Sequence, residues 1–176
     1  TEEKKVSHLV YRNPTPAVAM SEADDIANQN KRLEDFIKLG EEGIYNSIET
    51  IISIGIGGSR LGPELLSQVY KQNVKGIEVF YCSSYDLEEL EAVISTRNPL
   101  KTLLIVSSKS FNTPEVIDNA KRVRSWLAES NPDSFVDQMI GVSSNIQAMK
   151  SFGIKESNQF NILDSLGGRF SIWSAI

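Results

Sequence analysis

The stretch Ile51 to Pro63, IISIGIGGSRLGP, constrains the fold of this chain more than any other part of its sequence. A short β-branched run ends in glycines and leads into a Gly-Pro-led apolar helix, which is typical of a strand, a tight turn and a helix. Gly55, Gly57 and Gly58 let the backbone bend sharply, and the first N–H groups of the helix have no partner inside it. The stretch therefore predicts an anion site, with a plain strand-to-helix turn as the alternative.

Two common nucleotide-binding motifs do not fit this stretch. A dinucleotide fingerprint needs a third glycine where the chain has Arg60, and an acidic residue after the next strand, which ends in Cys82-Ser83-Ser84. A P-loop needs Gly-Lys-Ser or Gly-Lys-Thr, and neither follows. The pattern therefore disfavours NAD and excludes a P-loop.

Composition excludes several other classes of protein. The 176 residues, 40% hydrophobic and 23% charged, predict one globular domain with its own core. The net charge of -5 argues against nucleic acid or an anionic membrane as a partner. With one cysteine, Cys82, and one histidine, His8, neither a disulfide nor a metal site is expected. No apolar run approaches roughly 18 residues and the start is charged, so a cytoplasmic protein is predicted.

Both ends of the sequence predict a piece of a longer polypeptide. The chain has no initial Met, and residues 170–176, FSIWSAI, are apolar without a C-cap glycine or a polar exit. An apolar segment of this kind normally packs on something further along.

Strands and helices alternate from residue 50 onward. Before them, residues 1–20 predict an irregular arm, and the capping pattern at Ser21 predicts a helix as far as Gly40. The predicted strands are 50–56, 77–83, 101–107 and 137–142, with a weaker one near 160–163, and the predicted helices are 61–72, 86–96, 113–129 and 144–151. Parallel strands need crossover helices, so we predict an α/β fold: an open doubly wound parallel sheet of about five strands with helices on both faces. We divide the chain into an N-terminal arm and helix, 1–42, and a sheet domain, 43–176.

Hydroxyl groups follow each of the first four predicted strands, at the edge of the sheet where ligands of such folds bind. The loops are Gly57-Gly58-Ser59, Ser83-Ser84, Ser107-Ser108-Lys109-Ser110 and Ser143-Ser144. Serine is common in turns and caps, so each group alone can be structural. Together they predict a phosphomonoester pocket in which Lys109 is the point charge. Its hydroxyl donors are Ser108, Ser110 and Thr113.

A second cation follows the fifth strand. Gly167-Gly168-Arg169 opens the final apolar segment, which we predict to be a helix that begins near the same edge. A planar, permanently charged guanidinium beside a bound sugar phosphate would stabilise an oxyanion formed in a reaction. The alternative is that Arg169 is solvated or pairs with Asp164.

Three segments in this order resemble the glucose-6-phosphate isomerase family. They are residues 54–63 (IGIGGSRLGP), 107–115 (SSKSFNTPE) and 166–175 (LGGRFSIWSA), and residues 1–12 resemble the stretch before that family's first sugar-isomerase (SIS) domain. The resemblance implies a SIS fold and a cofactor-free interconversion of glucose 6-phosphate and fructose 6-phosphate in glycolysis and gluconeogenesis. It also implies a homodimer for the full-length protein.

The resemblance assigns roles to individual residues. It implies that the phosphate is held by Ser59, Ser108, Lys109, Ser110 and Thr113. It places Gly58 against the sugar, counts Gly168 among the substrate-binding residues, and puts Arg169 beside the enediolate as the catalytic cation. The family's glutamate base and ring-opening histidine lie in segments that this chain does not include, and Glu115 is the alternative base within the chain.

The sequence departs from the family pattern at four positions. Arg60 replaces an Asp, Ser110 a Thr, and Leu163 and Ser165 two aromatic residues. Serine keeps the hydroxyl of threonine, whereas Arg60 either tightens phosphate binding or faces solvent. Two other functions remain open: a phosphosugar-binding regulatory module without chemistry, and a different SIS enzyme such as an amidotransferase isomerase domain.

Overall fold

The computed structural model describes residues 20–71, 76–83, 87–164 and 166–176. The helices are α1 (Met20–Glu42), α2 (Gly58–Tyr70), α3 (Leu87–Ile94), α4 (Pro114–Ser130) and α5 (Ile146–Phe152). The strands are β1 (Thr50–Ile54), β2 (Glu78–Cys82), β3 (Thr102–Ser107), β4 (Met139–Ser143) and β5 (Gln159–Asn161). The predicted order of elements is confirmed, and the arm predicted over residues 1–20 lies outside the described residues except for Met20, which begins α1.

The five strands form one parallel sheet in the order β2-β1-β3-β4-β5. Ile52 in the middle of β1 pairs with Phe80 on one side and with Leu104 on the other. The chain runs from β1 to β2 on one side and then crosses to β3 on the other side, so the winding reverses between β1 and β3. The predicted doubly wound α/β sheet is therefore confirmed, and loops that follow β1 and β3 meet at its switch point.

Each face of the sheet carries its own hydrophobic core. On one face, Ile52 and Leu104 pack with apolar residues of α3, α4 and α5, and Leu104 is fully buried. On the other face, Leu103 and Phe160 pack with Leu33 and Phe36 of α1. The alternation of Leu103 and Leu104 between the two cores follows from the two-residue period of a strand, and it explains why β3 is apolar throughout.

Helix α1 is attached to the sheet by polar contacts as well as by packing. The Arg32 guanidinium donates to the backbone carbonyls of Glu156 and Gln159 over 3.1 and 3.2 Å. The Phe36 ring also meets the ring of Phe160 edge-on at 5.2 Å. The division of the chain at residues 42 and 43 stays a prediction.

Helix α2 begins earlier than predicted, which corrects the expectation that Gly62 and Pro63 open it. The positive φ of Gly57, 60°, turns the chain at once, so the helix begins at Gly58 and Pro63 lies inside it. Proline has no N–H to donate to the carbonyl four residues back, that of Ser59. None of the described residues of α2 is buried, and its apolar side chains include Leu61, which is 66% exposed.

The final apolar segment forms a 3-10 helix, Gly168–Trp173, where a helix of unspecified type was predicted. It packs on α2: a Cβ atom at Gly62 would lie 3.1 Å from the Cβ atom of Ile172. Ala175 and Ile176 pack against the core that contains Leu103. Among the described residues, no helix is long and apolar enough to cross a membrane.

Candidate functional site

Three segments of the chain come together at the switch point of the sheet. A Cβ atom at Gly55 would lie 3.1 Å from the Ser107 carbonyl oxygen, so the backbones that follow β1 and β3 are in contact. A Cβ atom at Gly58 would overlap the carbonyl oxygen of Gly168, which brings the start of α2 against the Gly-Gly-Arg turn. A Cβ atom at Gly167 would lie 3.6 Å from Lys109 Nζ. The segments that carry the three sequence motifs therefore form one continuous surface.

The start of α2 presents the positive end of a helix dipole to this surface. Gly57 is the N-cap residue and supplies no side-chain cap to the helix. The Ser59 and Arg60 amides bond back to the carbonyls of Ile56 and Gly57 over 3.2 and 3.1 Å, so the first turn of the helix is tightly wound. The uncapped end of a helix attracts negative charge, and the half-buried Ser59 lies in that first turn. The placement of Ser59 thus suits an anion ligand.

The loop after β3 brings two of the predicted hydroxyl donors into contact. Ser108 Oγ lies 3.3 Å from Thr113 Oγ1, and it also accepts a hydrogen bond from the Phe111 amide over 3.2 Å. Thr113 is the N-cap residue of α4, yet its side chain caps no amide of that helix. One hydroxyl hydrogen is used between Ser108 and Thr113, and the other remains available to a ligand.

Lys109 and Ser110 complete the same loop. Lys109 is half-buried and reaches toward Gly167, whereas Ser110 is exposed and its hydroxyl donates to the Asn112 side-chain oxygen. An anion would compete with Asn112 for that hydrogen. The structure therefore groups Ser108, Lys109 and Thr113 closely, with Ser110 at their margin.

The two serines at the end of β4 have a different role from the one predicted for the hydroxyl groups at this edge. Ser143 and Ser144 both donate to the Lys109 carbonyl oxygen, over 2.8 and 2.9 Å. Asn145 caps α5 through the Ala148 amide and donates to the Ser110 carbonyl over 3.2 Å. These side chains hold the loop rather than face a ligand, which is a correction to the predicted ring of hydroxyls. Sequence analysis missed Asn145, although its cap position was a visible signal.

The guanidinium of Arg60 is already bonded to neighbouring protein groups, so Arg60 is not an independent anion ligand. Its guanidinium donates to Glu64 over 2.9 Å and to the Ser83 hydroxyl. The hydrogen bond to Glu64 raises the pKa of Arg60 above its ordinary value. The hydroxyl of Ser83, which was predicted at the ligand edge, is thus used by Arg60, and Ser84 lies outside the described residues.

The Gly-Gly-Arg turn places the backbone of Arg169 beside α2. Gly168 has a φ of 56°, a conformation that favours glycine, and it begins the 3-10 helix in which Arg169 is the second residue. The side chain of Arg169 lies outside the described part of the structure, so its role as the catalytic cation stays a prediction. Leu163 packs on the core that contains Leu103, while Ser165 is outside the described residues.

The other candidate nucleophile and bases of the chain are Cys82, Glu115 and His8. Burial raises the pKa of the Cys82 thiol to about 11, so at neutral pH the thiol stays protonated and unreactive. Glu115, the alternative base, lies half-buried in the first turn of α4. His8 lies outside the described residues.

Replacing Gly58 by alanine is expected to destabilise the fold by about 1–3 kcal/mol, the range for overpacking. The new methyl group would overlap the Gly168 carbonyl, and neither can rotate away, because the Cβ position is fixed by the backbone at residue 58 and the carbonyl is itself a backbone group. Chemical denaturation of the variant measures the loss. Gly76→Ala is the control, because a Cβ atom there meets nothing within 4 Å; its positive φ of 86° alone then sets the cost. Equal losses for the two variants would mean that the turn moves freely.

Comparisons with known proteins place the chain in a family. It matches the family described as Phosphoglucose isomerase over residues 1–176. Glucose-6-phosphate isomerase 1 of Colwellia psychrerythraea is 34% identical over 188 residues, an alignment that covers all of this chain and 34% of that protein. Glucose-6-phosphate isomerase of Bartonella quintana is 34% identical over 186 residues, which are 100% of this chain and 33% of that protein.

A solved structure agrees with these relatives. The crystal structure of a glucose-6-phosphate isomerase from Chlamydia trachomatis superposes with a TM-score of 0.80 at 26% identity, covering 95% of this chain and 32% of that one. The chain therefore spans about a third of the length of the relatives it matches. Because the family match extends over the whole sequence, the chain belongs to the phosphoglucose isomerase family.

Proposed function

We propose that this chain is the phosphate-binding part of a longer glucose-6-phosphate isomerase, an enzyme of glycolysis and gluconeogenesis that interconverts glucose 6-phosphate and fructose 6-phosphate. The observation that carries the proposal is the approach of Lys109 to Gly167 beside the Gly58–Gly168 contact, which joins three motifs at one switch point. Support also comes from relatives named as that enzyme, of which this chain spans about a third.

The phosphate would bind between the starts of α2 and α4. The two helices begin after Gly57 and Thr113, and neither N-cap side chain bonds to its own helix. The positive ends of the two helix dipoles, the Lys109 ammonium and the available hydroxyl of the Ser108–Thr113 pair suit a doubly charged phosphate. Ser59 and Ser110 add hydroxyls at the edges, and Gly58 and Gly168 border the sugar.

The reaction moves a carbonyl group between C1 and C2 of the sugar. A base carries a proton between the two carbons through a cis-enediol, and a cation stabilises the charge that develops on oxygen. We assign the cation to Arg169 and place the base in the rest of the longer polypeptide. The chemistry calls for no cofactor. Residues 43–176 would form the SIS domain of a cytoplasmic homodimer whose substrate is a sugar phosphate.

Lys109→Ala is expected to weaken the binding of fructose 6-phosphate by about 1.5–3 kcal/mol, the range for a hydrogen bond to a charged group. That loss is roughly a 10- to 150-fold rise in Kd, which isothermal titration calorimetry on the full-length polypeptide measures. The physical reason is that a half-buried ammonium at the switch point is removed.

Lys101→Ala is the matched control for this variant. Lys101 lies before β3, at the opposite end of the strand that Lys109 follows, and it pairs with Glu49 over 2.5 Å. Its removal alters the net charge equally but should leave Kd unchanged. Unchanged affinity in Lys109→Ala would remove Lys109 from the site, and equal losses in both variants would indicate a long-range charge effect. Binding without turnover in the full-length polypeptide would favour the regulatory module instead.

A further inference from the structure

The carbonyl oxygen of Lys109 is the most heavily bonded acceptor of the phosphate loop, residues 108–113. It accepts the Ser143 hydroxyl over 2.8 Å, the Ser144 hydroxyl over 2.9 Å and the Ser144 amide over 3.0 Å. A carbonyl oxygen has two lone pairs, so three donors saturate it. Ser143, the last residue of β4, and Ser144, which follows it, thus fix the backbone at Lys109.

The contacts on either side of Lys109 continue this attachment. The Ser108 amide donates to the Val142 carbonyl over 3.0 Å, which extends the ladder between β3 and β4 past the end of β3. The Asn145 side chain donates to the Ser110 carbonyl, and its amide donates to Ser143 Oγ over 3.0 Å. The backbone of residues 108–110 is therefore held along its length by the end of β4 and by the loop that follows it.

The phosphate loop needs this support because it contains a strained residue. Phe111 has a φ of 52°, which is unusual for a bulky side chain, and it is 4% exposed. Its ring packs edge-on against Phe152 of α5 at 5.7 Å. A conformation of this kind persists only where surrounding contacts hold it in place. Here the contacts come from the end of β4, which binds the loop, and from α5, on which the Phe111 ring packs.

We propose that Ser143 is a positioning residue for the phosphate site: it acts through the Lys109 carbonyl and does not touch the ligand. Ser143 is the last residue of β4 and is fully buried, so its hydroxyl faces the loop and not solvent. Without its hydroxyl, the Lys109 carbonyl would keep only the two donors of Ser144, and the Asn145 amide would lose its acceptor, so the loop would be held less firmly at the residue that carries the ammonium. The identity of the ligand rests on the proposed function, whereas the immobilisation of the loop does not.

The test compares Ser143→Ala with Thr102→Val in the full-length polypeptide. Thr102 is a matched control, because it is also fully buried and its hydroxyl also donates to a backbone carbonyl, that of Asn98, over 2.8 Å. It lies at the start of β3, at the far end of the sheet from the phosphate loop. Thr102→Val loses one hydrogen bond, whereas Ser143→Ala loses the bond to the Lys109 carbonyl and the bond from the Asn145 amide. One hydrogen bond is worth roughly a fivefold change in a local equilibrium, so at least that change is expected on loss of Ser143.

Two measurements separate positioning from general stability. Amide hydrogen exchange of residues 108–113, without ligand, is expected to be at least roughly fivefold faster in Ser143→Ala and unchanged in Thr102→Val. Calorimetric titration with fructose 6-phosphate is expected to show a Kd raised at least roughly fivefold in Ser143→Ala alone. If Ser143→Ala does not fold, Ser144→Ala is used for both measurements, with the same expected changes.

The outcomes are distinct. The proposal is overturned if the loop exchanges at the same rate, and the ligand binds with the same Kd, in the Ser143 and Thr102 variants. It is also overturned if Ser143→Ala changes neither the exchange rate nor the Kd. Faster exchange of the loop, with unchanged Kd in both Ser143→Ala and Lys109→Ala, would keep the immobilisation and reject the phosphate site at Lys109. Faster exchange together with weaker binding supports both.

Discussion

The 176 residues alone are expected to form fructose 6-phosphate about 10²- to 10⁴-fold more slowly than the full-length polypeptide, which is the usual contribution of a positioned general base. A base must come within hydrogen-bond reach of the proton that it moves. Within this chain the candidate is Glu115, in the first turn of α4, and the single histidine, His8, precedes the sheet domain. The relatives are about three times as long as the segment matched, which leaves room for a base elsewhere.

The measurement is a coupled assay of fructose 6-phosphate formation by the purified chain and by the full-length polypeptide. Lys109→Ala in the short chain is the control for contaminating host isomerase, since contaminating activity does not respond to that substitution. Turnover within roughly tenfold of the full-length rate that disappears in Lys109→Ala would place a base inside this chain. Glu115→Gln is then the next variant, because it removes the proton acceptor and keeps the shape of the side chain.

The fold was predictable because the sheet is parallel and covered by crossover helices. The apolar run from Thr102 to Val106 alternates between two buried faces, and a fully buried strand of a parallel sheet has this composition. The order of the strands, β2-β1-β3-β4-β5, was not among the predictions. The start of α2 was not predictable, because it depends on the positive φ that Gly57 adopts, and three glycines in the motif offered this conformation.

The sequence predicted the residues that would carry a cation or a hydroxyl at the candidate site, and their role as ligands stays a prediction; it did not predict the residues that support them. Lys109 and Thr113 stand out in the sequence because a cation and a hydroxyl follow a strand of a doubly wound sheet. Ser143 and Ser144 look the same as ligand serines in the sequence, since a hydroxyl donates equally well to a phosphate and to a carbonyl. Their role depends on the distance between the loops after β3 and β4, which only the three-dimensional structure gives.

Contacts between distant backbone segments could not be predicted from the sequence either. The glycines at positions 58 and 168 are separated by more than half of the chain, and each motif explains its own glycines by a local turn. The structure adds a second reason for Gly58, because a side chain there would push against the Gly168 carbonyl. This contact is also what places the backbone of Arg169 at the switch point.

Arg169→Ala is expected to lower kcat by roughly 10²- to 10³-fold with little change in KM, the effect of removing one stabiliser of an oxyanion. Arg169 directly follows Gly168, and the Gly168 carbonyl lies against the start of α2. The backbone of Arg169 therefore lies beside the proposed phosphate site. A cation that acts on the enediolate contributes only where charge develops, and its loss therefore falls on kcat. Steady-state kinetics of the full-length polypeptide with glucose 6-phosphate measure both constants.

Two further variants decide how Arg169 acts. Arg169→Lys keeps the charge but loses the planar, two-pronged donor geometry, so it should recover part of kcat if charge alone is needed and little of it if geometry is needed. Arg122→Ala is the matched control, since Arg122 is exposed on α4, pairs with Glu91 over 3.3 Å and should leave both constants unchanged. A rise in KM with an intact kcat for Arg169→Ala would instead make Arg169 a ligand of the ground-state sugar phosphate, because uniform binding affects KM alone.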